Sequence, residues 1–252
     1  MLMNRHVLLI SCYELGHQPL GLALPMAFLE AAGFHPETLD VSRDPLDSRL
    51  VASARLAALS VPMHTALRLG ARVAARIRQA NPGCHICFHG HYAALNSEHL
   101  LEILADSILS GECEQALVDL ARVLDEGRNP ADVASLTLPG RKGTPVLGRL
   151  KFPLPSRGRL RPLGDYAFLE LEGESRLSGY VEASRGCLHL CRHCPIPPVY
   201  QGRFFVVPRE VVLEDIRSQV ALGAAHITFG DPDFLNGPGH ALGLLDEVVQ
   251  AP

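Results

Sequence analysis

The sequence predicts an α/β fold in two parts: a doubly wound parallel sheet over residues 1–125, then the opening strands and helices of a β/α barrel over residues 179–252. Three observations lead there. Short apolar runs alternate with helical periodicity through the first half, and a span rich in proline, glycine and arginine breaks that alternation between residues 126 and 178. Beyond it the order strand, helix, strand, helix resumes.

The elements follow in chain order. Residues 6–12 are a β-branched and leucine run that reads as a buried strand. Residues 19–33 carry apolar positions at helical spacing and close on Gly33, with Pro25 as either a kink or a first turn. A short strand at 35–40 comes next. Strand 56–61 with helix 65–80, strand 85–88 with helix 97–104, and strand 107–109 with helix 113–124 complete five strands, and Asn81-Pro82-Gly83 marks a turn. Ligands of such sheets sit beyond the carboxyl ends of the strands, here the loops 13–18, 62–64, 89–92 and 110–113. His64, His89 and His91 read as polar loop residues. Cys84 and Cys87, an odd number of residues apart on a strand, should face opposite sides as buried thiols.

Residues 126–178 hold Pro130, Pro139, Pro145, Pro153, Pro155 and Pro162, so this span is expected to be an irregular linker with at most short strands. Its arginines between 141 and 161 read as a solvated surface. After Gly179 a strand leads into the cysteine-rich loop. A helix over 208–223 presents Val212, Ile216 and Val220 as its apolar stripe, and a strand at 225–229 and a helix at 240–249 follow.

Composition narrows the function classes. The chain has 252 residues, 47% of them hydrophobic, and a formal net charge of -4, which suits a packed globular protein and argues against a general nucleic-acid surface. No apolar run reaches the roughly 18 residues of a membrane span. A cytoplasmic location is expected, and seven cysteines suit a reducing compartment better than a disulfide framework.

The chemistry concentrates in Ser184-Arg-Gly-Cys-Leu-His-Leu-Cys-Arg-His-Cys-Pro195. Cys187, Cys191 and Cys194 can close on one inorganic core, and no fourth cysteine follows. A structural zinc or electron-transfer site wants four protein ligands, so one metal corner is left open for a substrate or cofactor. The alternative is a zinc knuckle completed by His189 or His193.

The Cys-x3-Cys-x2-Cys spacing after a strand resembles the signature of the radical S-adenosylmethionine (SAM) superfamily. The resemblance implies that Cys187, Cys191 and Cys194 hold a [4Fe-4S] cluster whose fourth iron binds SAM. It implies reductive cleavage of SAM to a 5′-deoxyadenosyl radical, an external reductant such as flavodoxin or ferredoxin, and a partial β/α barrel. It also implies cofactor contacts from Gly186, His193, Asp231 and Asp233. Asp231 stands where the family places a glutamate on the SAM amino group, one methylene shorter, or it is a turn or helix N-terminal aspartate. His193 either packs near the adenine or supports a cluster sulfur. Arg185 and Arg192 face the cluster or SAM carboxylate, or are solvated.

The first half is similar to the Rossmann-like cobalamin-binding domain that precedes many radical SAM cores, through Pro19-Leu-Gly-Leu-Ala and Gly111-Glu112. The family's Asp-x-His-x-x-Gly motif is absent, since Glu14-Leu-Gly-His17 does not match it. Two expectations stay open: cobalamin bound without a histidine ligand, with methyl transfer as the chemistry, or a vestigial scaffold. Fewer βα units follow the cysteines than the barrel needs, so the chain is expected to be the N-terminal part of a longer protein, and the substrate is not readable.

Overall fold

A computed structural model describes residues 6–250. Strands β1 (Val7–Ser11), β2 (Glu37–Asp40), β3 (Leu56–Ser60), β4 (His85–His89) and β5 (Ser107–Ile108) form one all-parallel sheet in the order β2-β1-β3-β4-β5. The helices that wind it are α1 (Leu20–Ala31), α2 (Ser48–Ser53), α3 (His64–Ala80), α4 (His91–Leu95), α5 (Ser97–Ile103) and α6 (Glu114–Asp125). β1 and β3 are buried along their whole length, as central strands covered on both faces must be. Alternate side chains then feed two cores. Val7, Leu9, Leu56 and Ala58 join Leu22 and Met26 of α1 and Leu117 of α6, whereas Leu8, Ile10, Ala57 and Leu59 join Val73 and Ile77 of α3. Cys87 falls in the first core and Cys84 in the second, on opposite faces as their spacing requires.

The short helices α2 and α4 are absent from the sequence expectation. Asp47 nucleates α2 by accepting from the Arg49 and Leu50 N–H groups, a local cap that periodicity over six residues does not reveal. Pro25 lies inside α1 rather than in its first turn.

The proline-rich connector is not a slack tether. Thr137 exchanges both backbone hydrogen bonds with Ile108, at 2.9 and 3.0 Å, and Val146 accepts from the Glu112 N–H at 2.8 Å, which covers the outer edge of β5. At Gly111 (φ +76°) a Cβ would lie 2.2 Å from the Val146 carbonyl oxygen, so only glycine admits this approach. The expectation of solvated arginines is corrected at Arg157. It is buried and paired with buried Asp215 at 2.6 and 2.8 Å, and it also donates to Gln18 Oε1 and the Tyr180 carbonyl.

The second unit contains β6 (Phe168–Leu171), β7 (Glu174–Val181), β8 (Ser184–Gly186), α7 (Ile196–Tyr200), β9 (Phe204–Val206), α8 (Arg209–Ala221), β10 (His226–Phe229) and α9 (Pro238–Gln250). β6 and β7 form a hairpin around Glu172 and Gly173, both at positive φ, so the strand expected from Gly179 begins earlier, at Glu174. β7, α8 and β10 make a parallel βαβ unit in a sheet ordered β10-β7-β6. Val181, Val212, Ile216 and Leu244 form its core. Val220 is a correction: it is 53% exposed, because Asp215 and Gln219 take the buried positions in that turn of α8 to meet Arg157 and the Tyr180 backbone.

Candidate functional site

β8 and β9 pair antiparallel, Ser184 with Val206 and Gly186 with Phe204, and the whole cysteine loop lies between them. Gly186 has φ +73°, and a Cβ there would sit 2.2 Å from the Arg203 carbonyl oxygen. That same carbonyl accepts the Cys187 N–H at 3.1 Å, so the glycine lets the first cysteine be pinned. Cys187 is buried against Ile196, Val199 and Tyr200, Cys194 is half-buried, and Cys191 is exposed. A 3.3 Å bond from the Cys194 N–H to the Cys191 carbonyl turns the last two toward each other along the chain. Among the described residues no three His, Cys, Asp or Glu side chains are assembled as a metal site.

The aspartates anchor this loop. Asp231, after β10, accepts from the Ala183 N–H at 3.1 Å and from the Ser184 hydroxyl, bracing the entry to β8. Burial raises its pKa. Asp233 caps the 3-10 turn Phe234–Asn236 through the Leu235 N–H and lies 3.4 Å from His189 Nε2. The Leu188 N–H donates to Asn236 on the same turn. His193 is exposed.

Beside the loop a cleft of about 150 Å³, open to solvent on one side, is lined by Glu14, His89, Glu114, Tyr180, Glu182 and Arg185 among others. It lies where the carboxyl ends of β1, β3, β4 and β5 meet those of β7 and β8, at the switch point where the order of the first sheet reverses. The cleft is far roomier than the 10–15 Å³ or so that one buried water occupies. Arg185 is its central cation, donating to Glu114 Oε1 at 2.7 Å, to Glu182 at 3.2 Å and to Glu112 at 3.3 Å. Tyr200 donates to Glu112 Oε1 at 2.7 Å.

Three carboxylates share one guanidinium, and burial makes that costly. Desolvation pushes Glu14 and Glu182 each up to about 7, and it raises Glu112 as well. The same cause lowers His89 and His91 to about 4, so both are neutral imidazoles. His89 and His91 are corrections to the loop reading: His89 is the buried last residue of β4, and His91 opens α4 and meets the Tyr200 ring at 5.6 Å. His64 stays exposed at the start of α3. His17, the only histidine near the missing cobalt motif, stacks on Tyr180 at 4.7 Å.

No family model and no curated protein matches the chain in sequence. Solved structures do match in shape. One is the radical S-adenosylmethionine methyltransferase TsrM from Kitasatospora setae with tryptophan substrate and the SAM analogue aza-SAM bound, at TM-score 0.76 and 20% identity over 97% of this chain. Another is the same enzyme with cobalamin and a [4Fe-4S] cluster bound, at TM-score 0.75 and 20% identity over 98% of this chain. The chain has the fold of the matching part of TsrM. It spans about half the length of TsrM, 51% in each case. No helix among the described residues is long and apolar enough to cross a membrane.

The sequence points to the cysteines and to the loops ending β1, β4 and β5, but not to the linkage of Arg185 with Glu112, Glu114 and Glu182. The one available signal was position: Glu112 and Glu114 flank a predicted strand-end loop, and Arg185 adjoins the cysteine motif.

Proposed function

We propose that this chain is the cluster- and cofactor-binding part of a radical SAM enzyme, with cobalamin in the cleft between its two sheets. The observation that carries the reading is a loop with three cysteines, closed by β8 and β9 and opening beside a cleft at the carboxyl ends of both sheets. The donor set fits a [4Fe-4S] cluster, which takes soft cysteine sulfurs, because three cysteines lie on one loop. The cleft suits a polar ligand, because His89 Nε2 and Glu114 Oε2, on residues that line it, are buried without a partner among the described residues. When bound, the cluster supplies one electron for cleavage of the SAM sulfonium to methionine and a 5′-deoxyadenosyl radical, and cobalamin adds methyl-transfer chemistry.

The chain's own task is to hold and orient. Gly186 and the Arg203 carbonyl fix Cys187, Asn236 and Asp233 tether the loop, and Asp231 braces β8 on the side where SAM would lie. Arg185 links the cysteine motif to the glutamates of the cleft. The substrate and the external reductant are outside this reading. The test is anaerobic reconstitution with iron and sulfide, followed by dithionite and SAM. Reconstituted protein should release 5′-deoxyadenosine, and a Cys191→Ala variant should release none. Stoichiometric zinc with no iron uptake would overturn the proposal.

A further inference from the structure

Two buried polar atoms in the cleft have no hydrogen-bond partner, His89 Nε2 and Glu114 Oε2, although each residue is only 4% exposed. Leaving such a group unpaired costs the full desolvation of that group. A folded chain tolerates that cost where a ligand supplies the missing bonds.

The far side of each side chain fixes what the near side requires. His89 Nδ1 lies 3.8 Å from Cys113 Sγ. Burial holds the Cys113 thiol well above its usual range, so it keeps its proton, and we assign that proton to the contact with Nδ1. With Nδ1 accepting from the thiol, the proton of the neutral imidazole falls on Nε2, a buried donor lacking an acceptor on a residue that lines the cleft. Glu114 is the converse. Arg185 holds Oε1 at 2.7 Å, and Oε2 is an acceptor lacking a donor.

We infer that His89 and Glu114 together form an anchor for a carboxamide, the ligand oxygen accepting from His89 Nε2 and the ligand N–H donating to Glu114 Oε2. This rests on the cobalamin reading of the cleft, since the corrin ring carries carboxamide side chains around its edge. A ligand carboxylate offers acceptors alone and meets Glu114, Glu14 and Glu182 across the same space. An ammonium offers donors alone and leaves Nε2 unpaired. The amide supplies one of each and carries no charge. On this account His89 grips the rim of the corrin and does not ligate cobalt, because the nitrogen it presents is protonated.

The experiment is equilibrium binding to the full chain, followed by visible absorbance, of cobinamide, whose ring amides are intact, and cobyrinic acid, in which they are carboxylates. The wild type should bind cobinamide at least ~10-fold more tightly, the ratio worth about 1.4 kcal/mol. Glu114→Gln keeps an oxygen for Arg185 and turns a donor toward the cleft, so it should abolish or reverse that preference. His89→Phe should weaken cobinamide binding ~10-fold without changing the spectrum of the bound corrinoid. Equal affinity for both compounds in the wild type, a preference unmoved by Glu114→Gln, or a nitrogen-coordinated cobalt spectrum lost in His89→Phe would overturn the inference while leaving the cleft a corrinoid site. Failure of both compounds to bind the wild type would overturn the cobalamin reading itself.

Discussion

Two arginines, Arg157 buried and Arg185 largely so, lie where the first sheet meets the second unit, and their surroundings differ in one respect that separates scaffold from site. Arg157 is matched: one aspartate, one glutamine and one carbonyl give every nitrogen of its guanidinium an acceptor. Arg185, by contrast, is outnumbered by Glu112, Glu114 and Glu182, and Glu114 Oε2 beside it stays unpaired. A closed network specifies how elements pack, whereas an unfinished one marks where something else binds.

The largest expected effect lies at the closed network. Arg157→Met strands Asp215 in the interior and should cost about 3–5 kcal/mol in chemical denaturation, with no recovery on adding cobalamin. A loss under 1 kcal/mol would remove the contrast. At the open network, Arg185→Met should cost about 3 kcal/mol at pH 8. That cost should shrink toward pH 5.5, because Glu182, pushed up to about 7 by burial, then takes up a proton and no longer needs the cation. Denaturation at the two pH values measures the difference, and a cost independent of pH would contradict it.

A smaller effect of opposite sign is expected at Glu14. Its folded pKa of about 7 lies above the ordinary value of 4.5, so the folded state binds the extra proton and stability falls as pH rises between those values. Glu14→Gln keeps an acceptor for the Gly21 N–H, should gain roughly 1–3 kcal/mol at pH 8, and should flatten that slope. The smallest effect should be Asp231→Asn, which leaves one acceptor for the Ala183 N–H and Ser184 hydroxyl and costs about 1 kcal/mol in thermal unfolding. A role on SAM shows separately, as a weakened spectral response of the cluster to SAM.

The parallel sheet was legible because its signal is local. Runs such as Val7 to Ile10 are apolar at every position, as a strand covered on both faces requires, and the structure places them within a residue or two of expectation. The cysteine loop was legible from spacing. What sequence could not show is pairing across distance. Arg157 and Asp215 lie 58 residues apart, Arg185 and Glu112 lie 73 apart, and no local pattern reveals either pairing. Val220 misled for the same reason: it kept helical period, but the face of α8 was decided by a buried arginine from the connector.

The claim on which the whole account rests is that the loop from Cys187 to Cys194 gathers iron while leaving a coordination place for SAM. Electron paramagnetic resonance of the anaerobically reconstituted, reduced chain, recorded with and without SAM, tests it most directly. The account predicts a [4Fe-4S] signal that shifts when SAM is added and disappears in the Cys191→Ala variant. A signal indifferent to SAM, or one that persists without Cys191, would contradict it.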